Sequence, residues 1–224
     1  MRIHSIEESE VVSMSLGMIL LVVLALLILF GVLQRVLDRM ALTDKQALLC
    51  VAAIFIGGWL PDLSLGAVTL NWGGAIVPLA VCVYLFFHAG TGMERGRCLI
   101  ASVLTAAAVY AISVFFPADP VTMPFDPMIL YGLCGGAIAW ILGRSRRSAF
   151  VAGILGVVLA DAAVGVVNWR NGISQTVHLG SAGALDAVVL SGVTAVLLCE
   201  LFGELMERIV RGREQHAAEG GQHA

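Results

Sequence analysis

Charged residues are scarce in this chain of 224 residues, where Asp, Glu, Lys and Arg together make up only 13%. A water-soluble domain carries about 25% charged residues, so the composition excludes an ordinary water-facing surface. Aromatic residues are also few, at 7%, and no basic patch with interleaved aromatics occurs. We therefore expect no nucleic-acid partner.

Sequence patterns for metal or cofactor binding are also lacking. The five cysteines lie in or beside apolar runs and form no CxxC motif. We expect them to act as small apolar side chains in helix packing. Only one histidine, His178, lies near the acidic residues discussed below, which is too few for a metal site. The sequence thus predicts neither a metal nor a cofactor.

Long apolar runs dominate the chain, which is 59% hydrophobic. They predict an all-α, polytopic membrane helix bundle, with residues 1–202 as the bundle and 203–224 as a cytoplasmic tail, helical or disordered. Three of the predicted helices are short for a span of about 20 residues. The seven predicted helices are Val11–Leu33, Gln46–Leu60, Gly73–His88, Cys98–Phe116, Pro127–Gly143, Ser148–Val167 and Leu179–Leu201.

The basic residues predict the orientation of this bundle, because Lys and Arg accumulate in cytoplasmic loops. Nearly all of them follow the first, third, fifth or seventh predicted helix, and only Arg2 and Arg170 fall on the opposite side. The pattern predicts a multi-pass protein of the inner (cytoplasmic) membrane, with its N-terminus outside and its C-terminus in the cytoplasm.

Two aspartates inside the last two apolar runs are the main indication of chemistry. Asp161 lies in Ser148–Val167 and Asp186 in Leu179–Leu201. A carboxylate at a helix centre costs about 2.5–3.5 kcal/mol on insertion scales, so it usually faces protein. Helix geometry places Asp161 about 20 Å from the inner boundary and Asp186 about 10 Å below the outer boundary of a core about 30 Å thick. The depths agree, and we expect the two carboxylates to lie close together.

Small residues near the aspartates favour such an approach. Gly153 and Gly165 lie eight residues before and four after Asp161, and Gly183 lies three residues before Asp186. Both aspartates are then expected in a seam between helices. A purely structural role, such as a hydrogen bond to a helix backbone or an ion pair with Arg170, is the alternative.

Two predicted outer loops lie near this level. Pro61–Trp72 alternates around a glycine, which predicts a short hairpin or a re-entrant flap. The loop Pro117–Pro127 is rich in proline and is expected to be stiff and extended. Asp62 and Asp126 could extend the acidic cluster, although capping of helix ends at the membrane interface is the simpler role for both.

Four stretches of the chain are similar to a prokaryotic membrane family catalogued as DUF1614. They are LTDKQALL at 42–49, NWGGAIVPL at 71–79, GRSRRSAFVAGILGVVLAD at 143–161 and GALDAVVLSG at 183–192. The resemblance covers nearly the whole chain. It implies a membrane protein and no particular activity.

A second resemblance is to the GxGD intramembrane aspartic proteases, which place one catalytic aspartate on each of two successive helices. It implies catalytic roles for Asp161 and Asp186. The sequence departs from that pattern, because Leu185 replaces the second glycine of the motif and Ala160 stands where those proteases commonly have tyrosine. The Pro-Ala-Leu motif expected after the second aspartate is missing.

Three functions remain open at this stage. The aspartates could form an intramembrane aspartic hydrolase, since two close carboxyl groups share a proton and can activate water. They could carry a proton or cation in a transporter. They could also stabilise a non-catalytic membrane scaffold. The expected partners are the lipid bilayer and a membrane protein or small-solute substrate.

Overall fold

The computed structural model describes the backbone of residues 22–23, 25–27, 29, 37–38, 40, 42–88, 91–115, 127–143, 145–181, 183 and 186–220. Most of the predicted helix Val11–Leu33 and of the loop Pro117–Pro127 lies outside these residues, and so does Asp126.

The described chain consists mainly of helices, with three short strands. In chain order the elements are α1 (Asp44–Gly57), β1 (Leu63–Leu65), β2 (Val68–Leu70), a π-helical turn (Trp72–Ile76), α2 (Val77–Phe87), α3 (Gly92–Phe115), α4 (Pro127–Gly143), α5 (Arg146–Arg170), β3 (Val177–Leu179) and α6 (Ala187–Gly220).

Three helical segments in the described part of the chain are long and apolar enough to cross a membrane. They are Gly92–Phe115, Arg146–Arg170 and Ala187–Leu205, and two apolar segments, Trp72–Phe87 and Ile129–Gly143, are shorter. These segments support a membrane protein. The prediction of seven full spans is not confirmed by helix length, because α1, α2 and α4 are too short to cross a bilayer unaided.

The mainly helical fold is confirmed, with three short strands beside the helices, but the prediction was wrong about where the last helix begins. Leu179 lies in β3, and its carbonyl oxygen accepts a hydrogen bond of 3.0 Å from the Asn71 amide. Gly180 and Gly183 then adopt positive φ angles of 76° and 59°, which no α-helix contains. Helix α6 therefore begins only at Ala187.

The three strands form one small sheet in the order β1-β2-β3. Strands β1 and β2 pair antiparallel around a turn in which Gly66 has a φ of 69°, which confirms the hairpin predicted within Pro61–Trp72. Strand β3 pairs parallel to β2, with Thr69 opposite His178. The sheet caps one end of the bundle, called the sheet end below. The opposite end carries Arg95, Arg97, Arg146 and Arg147 and is called the basic end.

Helix α5 is the centre of the bundle and packs against α2, α3, α4 and α6. Its residues Val151, Ile154 and Val157 are almost fully buried. Small residues allow close packing: a Cβ atom at Gly156 would collide with Thr105 of α3. In a lipid environment such close backbone approach is a main source of helix association.

An ion pair joins α5 and α6 at the basic end. The Nε atom of Arg146, at the start of α5, donates a hydrogen bond of 2.7 Å to Glu200 Oε2 in α6. Beside it, the rings of Trp140 and Phe202 stack with centroids 4.3 Å apart. The ion pair holds the first turn of α5 against α6, and the stacked rings hold α4 against the same part of α6.

Candidate functional site

Asp161 belongs to a row of residues spaced by four along α5, and this row faces the protein interior. A Cβ atom at Gly153 would lie 2.9 Å from the carbonyl oxygen of Ser191 in α6. A Cβ atom at Gly165 would collide with the side chain of Val177 in β3. Asp161 lies between these two close approaches, and its side chain is partly buried. The close approach predicted between helices is observed at Gly153, whereas Gly165 lies against a strand and not against a helix.

Three helices meet at one level, which fixes the depth of Asp161 in the bundle. A Cβ atom at Gly135 of α4 would lie 2.9 Å from the Ser191 hydroxyl of α6 and 3.3 Å from the Val157 side chain of α5. One turn toward the sheet end leads from Val157 to Asp161 and from Gly135 to Tyr131. Asp161 and Tyr131 therefore share a level about 5.4 Å closer to the sheet end.

Asp186 occupies the N-terminal boundary of α6, not the middle of a helix as predicted. Its Oδ1 atom accepts a hydrogen bond of 2.9 Å from the Val188 amide, and its carbonyl oxygen accepts one of 2.9 Å from Leu190. These are the contacts of an N-cap aspartate, whose charge also suits the positive end of the helix dipole. Asp186 is 5% exposed.

The same helical geometry brings Asp186 to the level of Asp161. One turn from Ser191 toward the sheet end leads to Ala187, and Asp186 directly precedes it. Helix geometry thus places Asp161, Asp186 and Tyr131 at one level of the bundle. Two ionised carboxylates repel each other in a medium of low dielectric constant, so a proton or cation between them would be stabilised.

On the sheet-end side of the aspartate level, backbone segments pack closely at glycines. A Cβ atom at Gly74, in the π-helical turn, would collide with the Gly180 backbone, and one at Gly183 would lie 3.8 Å from the Gly58 Cα atom. Backbone segments thus touch directly where α6 has not yet begun. Gly183 belongs to this non-helical segment and not, as was predicted, to a helix.

Asn71 supports the second helix that begins at this level. Its Oδ1 atom accepts hydrogen bonds of 2.9 Å from the amides of both Gly73 and Gly74, which caps the π-helical turn. Its Nδ2 atom donates a hydrogen bond of 2.8 Å to Asp62 Oδ1. Asp62 therefore fixes the cap of a helix, in agreement with the simpler of its two predicted roles.

Sequence reasoning did not single out Asn71 or Tyr131. The signal for Asn71 was available, because asparagine before an apolar helical run is a preferred N-cap. Tyr131 carries no local signal: its level relative to Asp161 follows from the packing of Gly135, and no sequence pattern reports it.

The arrangement offers carboxylates and backbone dipoles. Among the residues that the structure describes, no group of three or more His, Cys, Asp or Glu is placed to hold a metal ion. The two carboxylates can bind and release a proton or a cation, and the Tyr131 hydroxyl can donate a hydrogen bond.

Comparisons with known proteins identify a family without assigning an activity. The family model described as "Protein of unknown function (DUF1614)" matches residues 59–198, which include the hairpin, both aspartates and α2 to α5. No curated protein and no solved structure matches the chain.

Proposed function

We propose that this chain, which belongs to the DUF1614 family, is a proton- or cation-coupled membrane transporter whose ion-binding residues are Asp161 and Asp186. One observation carries the proposal: Asp161, on the unbroken helix α5, lies at the same level as the aspartate that caps the start of α6 inside the bundle.

The two aspartates have different parts in this mechanism. Asp186 is held by the Val188 amide and supplies a fixed negative charge at the helix start. Asp161 is the residue that gains and loses the ion. A bound proton or cation relieves the repulsion between the carboxylates, and its release restores that repulsion, so occupancy changes the energy of the packed helices.

Helix ends near the site support transport. Helix α6 begins at the aspartate level, and the segment before it contacts the π-helical turn where Gly180 meets Gly74. Helix ends and exposed backbone carbonyls bind substrates and coupling ions in many transporters. Irregular backbone at membrane depth is tolerated where protein buries it or where it lines a cavity.

The proposal includes an orientation. The arginines of the basic end favour the cytoplasmic side of the inner membrane. The sheet end and the N-terminus then face outward, the tail 203–224 lies in the cytoplasm, and the aspartate level lies in the outer half of the bilayer.

An intramembrane aspartic hydrolase is the second candidate, because two carboxyl groups at one level could also act on one water. It differs from transport in one requirement. Both carboxyl groups must then reach the substrate, whereas the transporter needs ion exchange only at Asp161. Asp186 already accepts the helix-capping hydrogen bond, which favours the transporter.

Ion flux in proteoliposomes tests the proposal. The purified protein is reconstituted with a pH-sensitive dye inside, and proton, sodium and potassium gradients are imposed in turn. We expect the wild type to carry one of these ions, and the variant Asp161→Asn to fall to the level of empty liposomes. Asp38→Asn, a change at an exposed carboxylate, is the matched control and keeps the wild-type rate.

Equal flux in Asp161→Asn and wild type would overturn the proposal, as would no flux of any ion by the wild type. Cleavage of single-span membrane peptides, measured after incubation with the protein, distinguishes the hydrolase from the transporter. Cleavage that is lost in both Asp161→Asn and Asp186→Asn, without ion flux, would replace the transporter by the hydrolase. If the protein assembles normally but shows neither ion flux nor peptide cleavage, the non-catalytic membrane scaffold is the remaining function.

A further inference from the structure

We propose that a groove between α3 and α4 at the basic end binds one anionic phospholipid, with Arg97 on the lipid phosphate. The groove has a volume of about 390 Å³. It lies away from the aspartates and does not depend on their function. Its lining includes Met93, Gly96, Arg97, Ile100, Leu104 and Leu142.

The shape of the groove suits a lipid. Residues 93, 96, 97, 100 and 104 follow one face of α3, and Leu142 forms the opposite wall. Ile100 is 63% exposed and Leu104 48% exposed, so both are open to the surroundings. An acyl chain lying along these residues would cover apolar surface on two helices at once.

Gly96 provides room for the head group. A Cβ atom added at this position would meet nothing within 4 Å, so the space beside Arg97 is open. Any larger side chain here would project into the space where a phosphate could approach the guanidinium group. The glycine thus connects the charged and the apolar parts of the groove.

Arg97 differs from the other arginines described at this end. Arg146 pairs with Glu200, Arg147 donates to the His88 carbonyl oxygen, and Arg95 donates to the Phe87 carbonyl oxygen. Arg97 is exposed and forms no ion pair with a carboxylate of the described residues. It is the one charged residue of the groove lining, which favours an anionic over a zwitterionic head group.

The position of Arg97 along α3 also matches a lipid phosphate. No charged residue occurs from position 98 to the end of the helix at Phe115. Arg97 is therefore the last charge before the apolar surface, at the depth where arginine meets phosphates. A free phosphate ion would use only the guanidinium group and leave the apolar walls empty, so a lipid accounts for more of the groove.

Native mass spectrometry of the full-length protein in detergent tests the assignment. Binding of phosphatidylglycerol is titrated and compared with binding of phosphatidylcholine, and inorganic phosphate is added as a competitor. Arg97→Gln removes the charge, and Gly96→Leu keeps the charge but fills the groove. Arg170→Gln, at an exposed arginine of the opposite end, is the matched control. Circular dichroism verifies that each variant keeps its helix content.

We expect the wild type to bind one phosphatidylglycerol more tightly than phosphatidylcholine. Arg97→Gln should weaken phosphatidylglycerol binding about fivefold, as expected for one basic residue near a membrane surface. Gly96→Leu should weaken it as well, and Arg170→Gln should not. Equal affinity for the two lipids, unchanged binding in Arg97→Gln or Gly96→Leu, or displacement by inorganic phosphate would each overturn the proposal.

Discussion

Asp186 meets two demands at one residue position. Its side chain caps α6 through the Val188 amide, and in the proposed site its charge acts on Asp161. Asparagine can meet the first demand but not the second, because it is a good N-cap without charge. Substitutions at this position can therefore separate stability from the proposed ion binding.

The stability prediction uses Asp186→Ala and Asp186→Asn. Loss of an N-cap costs about 0.5–2 kcal/mol, so Asp186→Ala should lower the free energy of unfolding by that amount, and Asp186→Asn should lower it much less. Unfolding in mixed detergent micelles, followed by circular dichroism, measures both. If alanine and asparagine destabilise equally, the capping role is contradicted.

The position of one aspartate could be predicted from the sequence better than that of the other. The close approach predicted at Gly153 is observed, because α5 is a regular helix and its spacing alone fixes its faces. The placement of Asp161 in a seam shared with Asp186 stays a prediction. Asp186 was predicted inside a helix, since the residues around it are as apolar as a span. The glycines at 180 and 183 and the aspartate itself were the signals of a helix start.

At the scale of elements, the segment from Gly180 to Asp186 separates β3 from α6. The hydrogen bond between Asn71 and the Leu179 carbonyl oxygen holds its beginning, and the Gly180–Gly74 contact leaves no room for a side chain. The bounds of α4, Pro127–Gly143, agree with the prediction because no such long-range contact competes with its local pattern. Tertiary contacts with a strand far away in sequence could not be predicted.

Two glycines with the same φ of 76° allow a matched test of this contact. A Cβ atom at Gly172 meets nothing within 4 Å, so Gly172→Ala should cost only the backbone strain, about 1–2 kcal/mol. Gly180→Ala adds a collision with the Gly74 and Ala75 backbone and should cost clearly more. Thermal unfolding compares them; equal losses would show that the contact is not tight.

The Asn71–Asp62 hydrogen bond yields a second test at the element scale. Asn71→Asp keeps the acceptor for the helix amides but places a carboxylate beside Asp62, so it should destabilise by about 1–3 kcal/mol. Adding Asp62→Asn supplies a donor again and should recover most of the loss. A double-mutant cycle on the free energy of unfolding measures this coupling, and additive losses would refute it.

At the scale of the whole molecule, the two ends differ in charge, and this difference sets the proposed orientation. The test uses single cysteines in a background without the five native ones: Ser64→Cys in the sheet and Lys45→Cys at the start of α1. Both positions are exposed. In intact cells a membrane-impermeant maleimide should label Ser64→Cys alone, and Lys45→Cys only after permeabilisation. The reverse labelling would invert the orientation.

The central claim is that Asp161 and Asp186 act as one ion-binding site, and infrared difference spectroscopy in lipid tests it most directly. Spectra recorded at acid and alkaline pH should contain a carboxylic-acid band that disappears in Asp161→Asn. The midpoint of its titration should move in Asp186→Asn and stay in place in Asp38→Asn, because Asp186 lies at the level of Asp161 and Asp38 is an exposed carboxylate outside the proposed site. A band that survives in Asp161→Asn, or a midpoint unchanged in Asp186→Asn, would contradict the claim.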